Sequence, residues 1–190
     1  MGKKELKAQT ILIPLPAAMV SCQWGNRTPN IITCAWIGIL CSEPPMLGVG
    51  IRKSRFSHKI ITESMEFGVN ITTENLVGET DYCGTYSGKD VDKFKEANLT
   101  PFYGKKIKAP LIKECPINLE CLVRQVIELG SHDFFIAEIV STYVDEEYLD
   151  EKGKPDIAKI KPLVYCTKAQ EYWGLSQKLG GYGYTKKKGK

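Results

Sequence analysis

From Ile117 onward, apolar residues (Ile117, Leu119, Cys121, Val123, Ile127) alternate with polar ones (Asn118, Glu120, Arg124, Glu128). This period of two is that of a strand with one face in a core and the other outside it. Gly130-Ser131-His132-Asp133 supplies turn chemistry, and Phe134, Ile136, Val140 and Val144 mark the returning strand. Earlier, Ala18–Cys22 reads as a strand and Gly25–Asn30 as a turn. Ile31–Leu40 follows as one largely apolar strand, which Pro44-Pro45 breaks before Met46–Ile51 resumes the β pattern. Phe67–Ile71 and Leu163–Cys166 are further short strands.

Helical spacing is confined to short pieces. Ser54 is placed as an N-cap for a helix whose apolar side is Phe56, Ile60 and Ile61. Thr73 heads a second helix through Leu76, Thr80 and Cys83, with Glu74 near the positive dipole end and Gly84 as its stop. Asp90–Ala97 makes a third, and the Lys- and Pro-rich Pro101–Pro116 reads as a surface loop. The sum is about six or seven strands with few helices between them, which predicts a mainly β fold: an antiparallel sheet closed into a barrel. No Gly-x-Gly-x-x-Gly follows the first strand, which disfavours a doubly wound nucleotide-binding fold.

Composition adds less. At 190 residues with 43% hydrophobic and 25% charged residues, one globular domain over 1–190 is expected. The net charge of +4 resides in the lysines of residues 185–190, which read as a flexible basic tail. Without them the body is near neutral, so nucleic acid is not an expected partner. No signal peptide or membrane-length apolar run is present, so no membrane partner and a cytoplasmic location are expected. The seven cysteines are odd in number and lack a Cys-x-x-Cys pair; they read as buried free thiols in a reducing compartment, with no metal site.

Candidate chemistry gathers in a few places. Arg52-Lys53-Ser54-Arg55-Phe56-Ser57 brings three cations and two hydroxyls to the start of a helix, where free N–H groups and the dipole favour an anion. A capped helix behind a charged turn is the plainer reading. His132 is a surface turn residue, or a group that bonds a ligand or moves a proton near neutral pH. Thr33 and Cys34 interrupt a buried strand; they pack small side chains there or face a ligand's polar edge. Tyr172-Trp173 and Tyr182-x-Tyr184 read as packing at a barrel end. The absence of a catalytic triad or carboxylate pair fits chemistry carried by a cofactor.

Asn30–Trp36, Cys41–Met46 and Arg52–His58, then Asp81–Gly84, Ser87–Phe94 and Leu129–Asp133 leading into Ala137–Val140, together resemble the flavin reductase-like family of FMN-binding split barrels, over about 16–184. The resemblance implies a Greek-key split β-barrel, a homodimer, and bound FMN. It implies that Thr33, Cys34, Ala35, Trp36, Cys41 and Ser42 line the isoalloxazine and ribityl chain, and that Arg52, Ser54, Arg55 and Ser57 hold the phosphate. His132 would lie near the flavin where NAD(P)H docks, as the catalytic candidate. Three functions follow as expectations: an NAD(P)H-dependent reductase of flavin or a small acceptor, a flavoredoxin-like electron carrier serving a protein partner, or a binding module without redox chemistry.

Overall fold

The computed structural model describes residues 2–186, so positions 187–190 of the expected basic tail lie outside the described residues. Its strands are β1 (Leu15–Pro16), β2 (Ala18–Cys22), β3 (Asn30–Cys34), β4 (Ile37–Ser42), β5 (Pro45–Arg52) and β6 (Glu66–Ile71) in the first half. The second half holds β7 (Pro101–Phe102), β8 (Leu111–Ile112), β9 (Ile117–Leu129), β10 (His132–Val144), β11 (Leu163–Cys166) and β12 (Glu171–Gly174). The helices are α1 (Phe56–Ser64), α2 (Val77–Thr85), α3 (Lys93–Glu96) and α4 (Ile157–Ile160). Seven strands form one antiparallel sheet in the order β3-β2-β6-β9-β10-β5-β4; β1, β11 and β12 form a second, smaller sheet.

β3 and β4 are consecutive in sequence yet stand at opposite ends of that order. The sheet therefore curls until its ends approach. The expected single strand Ile31–Leu40 is two strands, joined by a bend at Ala35–Trp36 that steps from one edge to the other. An apolar run carries no mark of where it changes edge. Glycine at position 50 makes the step possible: its N–H donates to the Trp36 carbonyl at 2.7 Å, and a Cβ there would stand 3.2 Å from that of Trp36. Register shifts at Ile136/Ala137 and Ile139/Ser141 add curvature to the β9–β10 hairpin, as bulges do. Inside, Val20, Val49, Phe67, Cys121, Phe135 and Ala137 make a dry core, closed from one end by Ile60 and Ile61 of α1.

The outer face of β9 departs from its pattern. Asn118 and Glu120, polar positions of the alternation, are buried, because residues 101–116 lie over them as a buttress, not a free loop. This segment includes the β7–β8 ribbon, and its remaining backbone groups must find partners once covered. Glu120 accepts from the N–H groups of Lys106 (2.9 Å) and Ile107 (3.0 Å), and Glu66 from those of Lys108 (2.7 Å) and Ala109 (3.0 Å). Asn70 accepts from Ile112 N–H and from the Asn118 amide, both at 2.9 Å, while Ser21 donates to the Pro110 carbonyl. Pattern reading marks polar residues as wet; here they are dry and paired.

Smaller departures have similar causes. Arg55, not Ser54, occupies the cap position of α1, and no side chain caps it. Gly84 lies within α2 and does not stop it; a Cβ there would stand 3.2 Å from that of Thr33, so the glycine permits close approach of α2 to β3. α3 is only four residues long and is capped by Asp92, whose carboxylate accepts from Lys95 N–H at 3.3 Å. No helix among the described residues is long and apolar enough to cross a membrane.

Candidate functional site

Where β3 ends and the chain bends toward β4, the curled sheet leaves a cleft of about 590 Å³. Thr33, Cys34, Ala35, Trp36, Arg52 and Arg55 all line it, although Arg52 and Arg55 come from the distant end of β5 and the entry to α1. His132 lines it too. The residue opens β10 and does not sit in the turn, which places it opposite Arg52 in register. Its ring stacks on Trp36 with centroids 5.8 Å apart and planes 16° from parallel, and Ser131 Oγ lies 2.8 Å from its Nδ1. Burial and the nearby Arg52 cation hold its pKa below the usual value, so the imidazole is neutral at pH 7.

A smaller cavity of about 120 Å³ adjoins the cleft, with Ile32, Arg55 and Gly84 lining both. Ser54, Arg55 and Ser57 line it at the N-terminal end of α1, with Asn30, Gly88 and Lys93 facing them. Lys93 is 3% exposed; its Nζ donates to the carbonyls of Ile31 and Cys83, both at 2.7 Å. An ammonium has three protons, so one is left over. Among the described residues no carboxylate lies within ion-pair distance of it. Burial draws its pKa below the lysine norm. Beside it, the buried Asn30 side chain donates to Ser57 Oγ at 2.7 Å while its Oδ1 has no partner. A side chain at Gly88 would run into that amide, so glycine keeps this wall open. A buried cation without a counter-charge and a buried acceptor without a donor are both costly, and both line one small cavity.

Cys41 and Ser42 are not brought to either cavity; they lie at the far end of β4, where the Cys41 thiol donates to the Glu43 carbonyl at 3.3 Å. Cys34 does line the cleft, and burial pushes its thiol up to about 12, as it does that of Cys22; both stay protonated at neutral pH. His58, within α1, lies away from both cavities, its Nε2 2.8 Å from Asp133 Oδ2. Tyr172 lines the cleft, while Trp173, Tyr182 and Tyr184 are exposed and do not pack a barrel end. Lys93 and Asn30 were not singled out from the sequence. A lone lysine in a charged stretch and an asparagine beside a turn carry no local mark, since only the fold shows them buried.

A curled antiparallel sheet with a cleft at its seam and a cationic recess beside it defines a barrel with room for a ligand that has a planar part and an anionic part. The model of the flavin reductase like domain matches residues 11–174, and the chain belongs to that family. Its structure is similar to flavoredoxin of Desulfovibrio vulgaris (Miyazaki F), 36% identical with a TM-score of 0.91 over 96% of this chain and 98% of that one. Flavoredoxin of Methanosarcina acetivorans is likewise 36% identical, with a TM-score of 0.89 over 98% of each chain. A Shewanella frigidimarina protein described as having a split barrel domain shares the fold at 22% identity, with a TM-score of 0.80 over 89% of this chain and 85% of that one. The fold is thus a mainly β split barrel with a few short helices.

Proposed function

We propose that this chain binds FMN across the two joined cavities and acts as an oxidoreductase that passes electrons from NAD(P)H to free flavin or a small acceptor. The observation that carries the reading is Lys93, a buried ammonium with one unused proton and no carboxylate partner, facing a recess shaped by Ser54, Arg55 and Ser57. A phosphate there supplies the missing counter-charge, with α1's free N–H groups and the Arg55 guanidinium completing its shell. The orphan Asn30 Oδ1 suits a ribityl hydroxyl, which can donate to it. The outer edge of β3 at Thr33 and Cys34, running into the bend at Ala35–Trp36, suits the polar rim of the isoalloxazine. Bound flavin supplies hydride and single-electron chemistry that none of these side chains can perform.

The chain's own residues orient and screen. Arg52 faces the cleft as a cation for an approaching nucleotide phosphate. Trp36 and the neutral His132 form one flat wall, and His132 can accept or donate a hydrogen bond at a substrate atom reaching it. Ile39 and Leu40, 68% and 49% exposed on the edge strand β4, support a homodimer that covers them and brings Cys41 and Ser42 toward a partner's site. A cytoplasmic location is part of the same reading.

A second reading is favoured by the two flavoredoxins, each matched over nearly its whole length: FMN stays bound and a protein partner exchanges electrons with it. An anaerobic absorbance spectrum, taken before and after NADH and then NADPH, separates the two. Bleaching of a bound-flavin spectrum by either nucleotide supports the reductase. A flavin spectrum indifferent to both supports the carrier, and a protein that neither holds nor takes up FMN overturns both.

A further inference from the structure

The cleft has a second wall that the flavin-holding residues do not use. Asp81 belongs to α2, Tyr165 and Tyr172 to β11 and β12 of the small sheet, and Gln170 to the turn between those two strands. Among the described residues Asp81 is the single carboxylate lining the cleft, whose other charged members are Arg52 and Arg55. The wall is held in place from several sides. Tyr165 is paired with Leu15 of β1 and with Tyr172 of β12. Thr167 Oγ1 donates to the Thr10 carbonyl at 2.8 Å, and Gln170 adopts a left-handed backbone (φ 59°) with its N–H on the Cys166 carbonyl at 3.0 Å. The Tyr165 and Tyr172 rings, 5.2 Å apart, give the wall an aromatic surface.

Its polar groups have a definite sense. Burial, followed by the neighbouring Asp81 carboxylate, pushes the Tyr172 phenol up to about 12. The phenol therefore keeps its proton beside Asp81, whose exposed carboxylate lines the cleft as an acceptor. Gln170 offers both an acceptor and two donor N–H groups. An aromatic surface, a carboxylate that accepts and an amide that donates together match a flat ring bearing a primary carboxamide, whose NH₂ and C=O need those two partners. A ring carboxylate would instead meet Asp81 as a like charge.

We propose that Asp81, Gln170 and the Tyr165–Tyr172 pair form a specificity wall that selects an aromatic carboxamide over the corresponding carboxylate. This rests on the reading of the cleft as a flavin site reached by a nicotinamide, and it names the residues that would orient that ring. Asp81 is a specificity residue here, Tyr172 a positioning residue acting through it.

The probes are free nicotinamide and nicotinate, which share a ring and differ in the group to be read. Ligand-observed NMR titrations on the FMN-loaded protein are expected to give nicotinamide about tenfold tighter binding at pH 7, the scale of one partly screened charge contact. In Asp81→Asn the amide still accepts from a carboxamide, so nicotinamide binding holds while nicotinate strengthens, bringing the two within about threefold. Tyr172→Phe is expected to weaken nicotinamide about threefold and keep the preference, because the charge remains. Equal binding of the two probes by wild type overturns the proposal with no variant needed. So does an Asp81→Asn protein whose preference matches wild type. Failure to load FMN would overturn the cofactor reading instead, and the same titration on the FMN-free protein then tests the wall by itself.

Discussion

The buttress over β9 and the recess beside α1 are both built on buried polar side chains, and they differ in how those groups are satisfied. Under residues 101–116, Glu66, Asn70 and Glu120 accept backbone N–H groups, while the Asn118 amide donates to Asn70 and to the Ile112 carbonyl. Tyr143 adds a hydroxyl bond to Glu120 at 3.0 Å. In the recess, Lys93 keeps a spare proton, Asn30 a bare acceptor, and Ser54, Arg55 and Ser57 converge on space. A closed polar network specifies structure, whereas an open one at equal burial specifies a missing partner. Two regions of similar composition are thereby assigned to different work.

The strongest way to break this contrast is to remove Glu120. Glu120→Ala leaves the Lys106 and Ile107 N–H groups buried without acceptors and is expected to cost about 3 kcal/mol of stability, read from urea unfolding. Flavin affinity of the folded fraction should not move. The same carboxylate gives a pH signature. Burial pushes its pKa up, but the Lys106 and Ile107 N–H groups and the Tyr143 hydroxyl outweigh this and hold it below the usual value. Its folded pKa is depressed, so its contribution is complete above the unfolded value of about 4.3 and is lost as pH falls through the folded one. Glu120→Gln should flatten the acid side of the stability profile; an unchanged slope there would remove Glu120 from the network.

The opposite response is expected in the recess. Arg55→Ala with Ser57→Ala should weaken FMN binding about 100-fold, since it removes a charge-assisted and a neutral donor to the phosphate. Flavin fluorescence quenching measures this directly, and unchanged affinity would exclude the phosphate from this recess. Lys93→Met sharpens the comparison. It should weaken FMN about tenfold while leaving the flavin-free protein within about 1 kcal/mol of wild type, because a buried charge without a counter-ion contributes little to stability by itself. A large loss of stability without flavin would make Lys93 a structural residue like those of the buttress.

How far the sequence could be read follows the same division. The β9–β10 hairpin was legible because alternation over a long strand leaves one register, and the Arg52–Ser57 cluster because its residues are adjacent in the chain. The edge change at Ala35–Trp36 was not, since backbone direction is set by the closure of the sheet and not by hydrophobicity. Asn118 and Glu120 read as solvent-facing because period-two reasoning assigns one face to water and cannot see a distant segment lying over it. Lys93 and Asn30, from positions 63 residues apart, acquire meaning only when α3 and β3 meet. The cleft's far wall joins residues near both termini to α2, and no local pattern links them.

His132 gives the smallest expected effect and the finest test, because it belongs to neither network. Its ring stacks on Trp36, and among the described residues its side chain bonds only with its neighbour Ser131. His132→Ala should leave FMN bound and slow reduction of the flavin by NAD(P)H about three- to tenfold in stopped flow, the size of a lost orienting contact and not of lost chemistry. Burial and Arg52 hold the imidazole below its ordinary pKa of about 6.5, so it is neutral across the neutral range and gains a proton only under more acidic conditions. If the neutral ring is the working form, the wild-type rate falls as pH drops through that depressed value, and the His132→Ala rate shows no such step. His132→Gln, which keeps a neutral donor and acceptor, should recover part of the rate without restoring the step. Equal rates and equal pH profiles for all three proteins would reduce His132 to a packing partner of Trp36, and the flat wall of the cleft would then be shape alone.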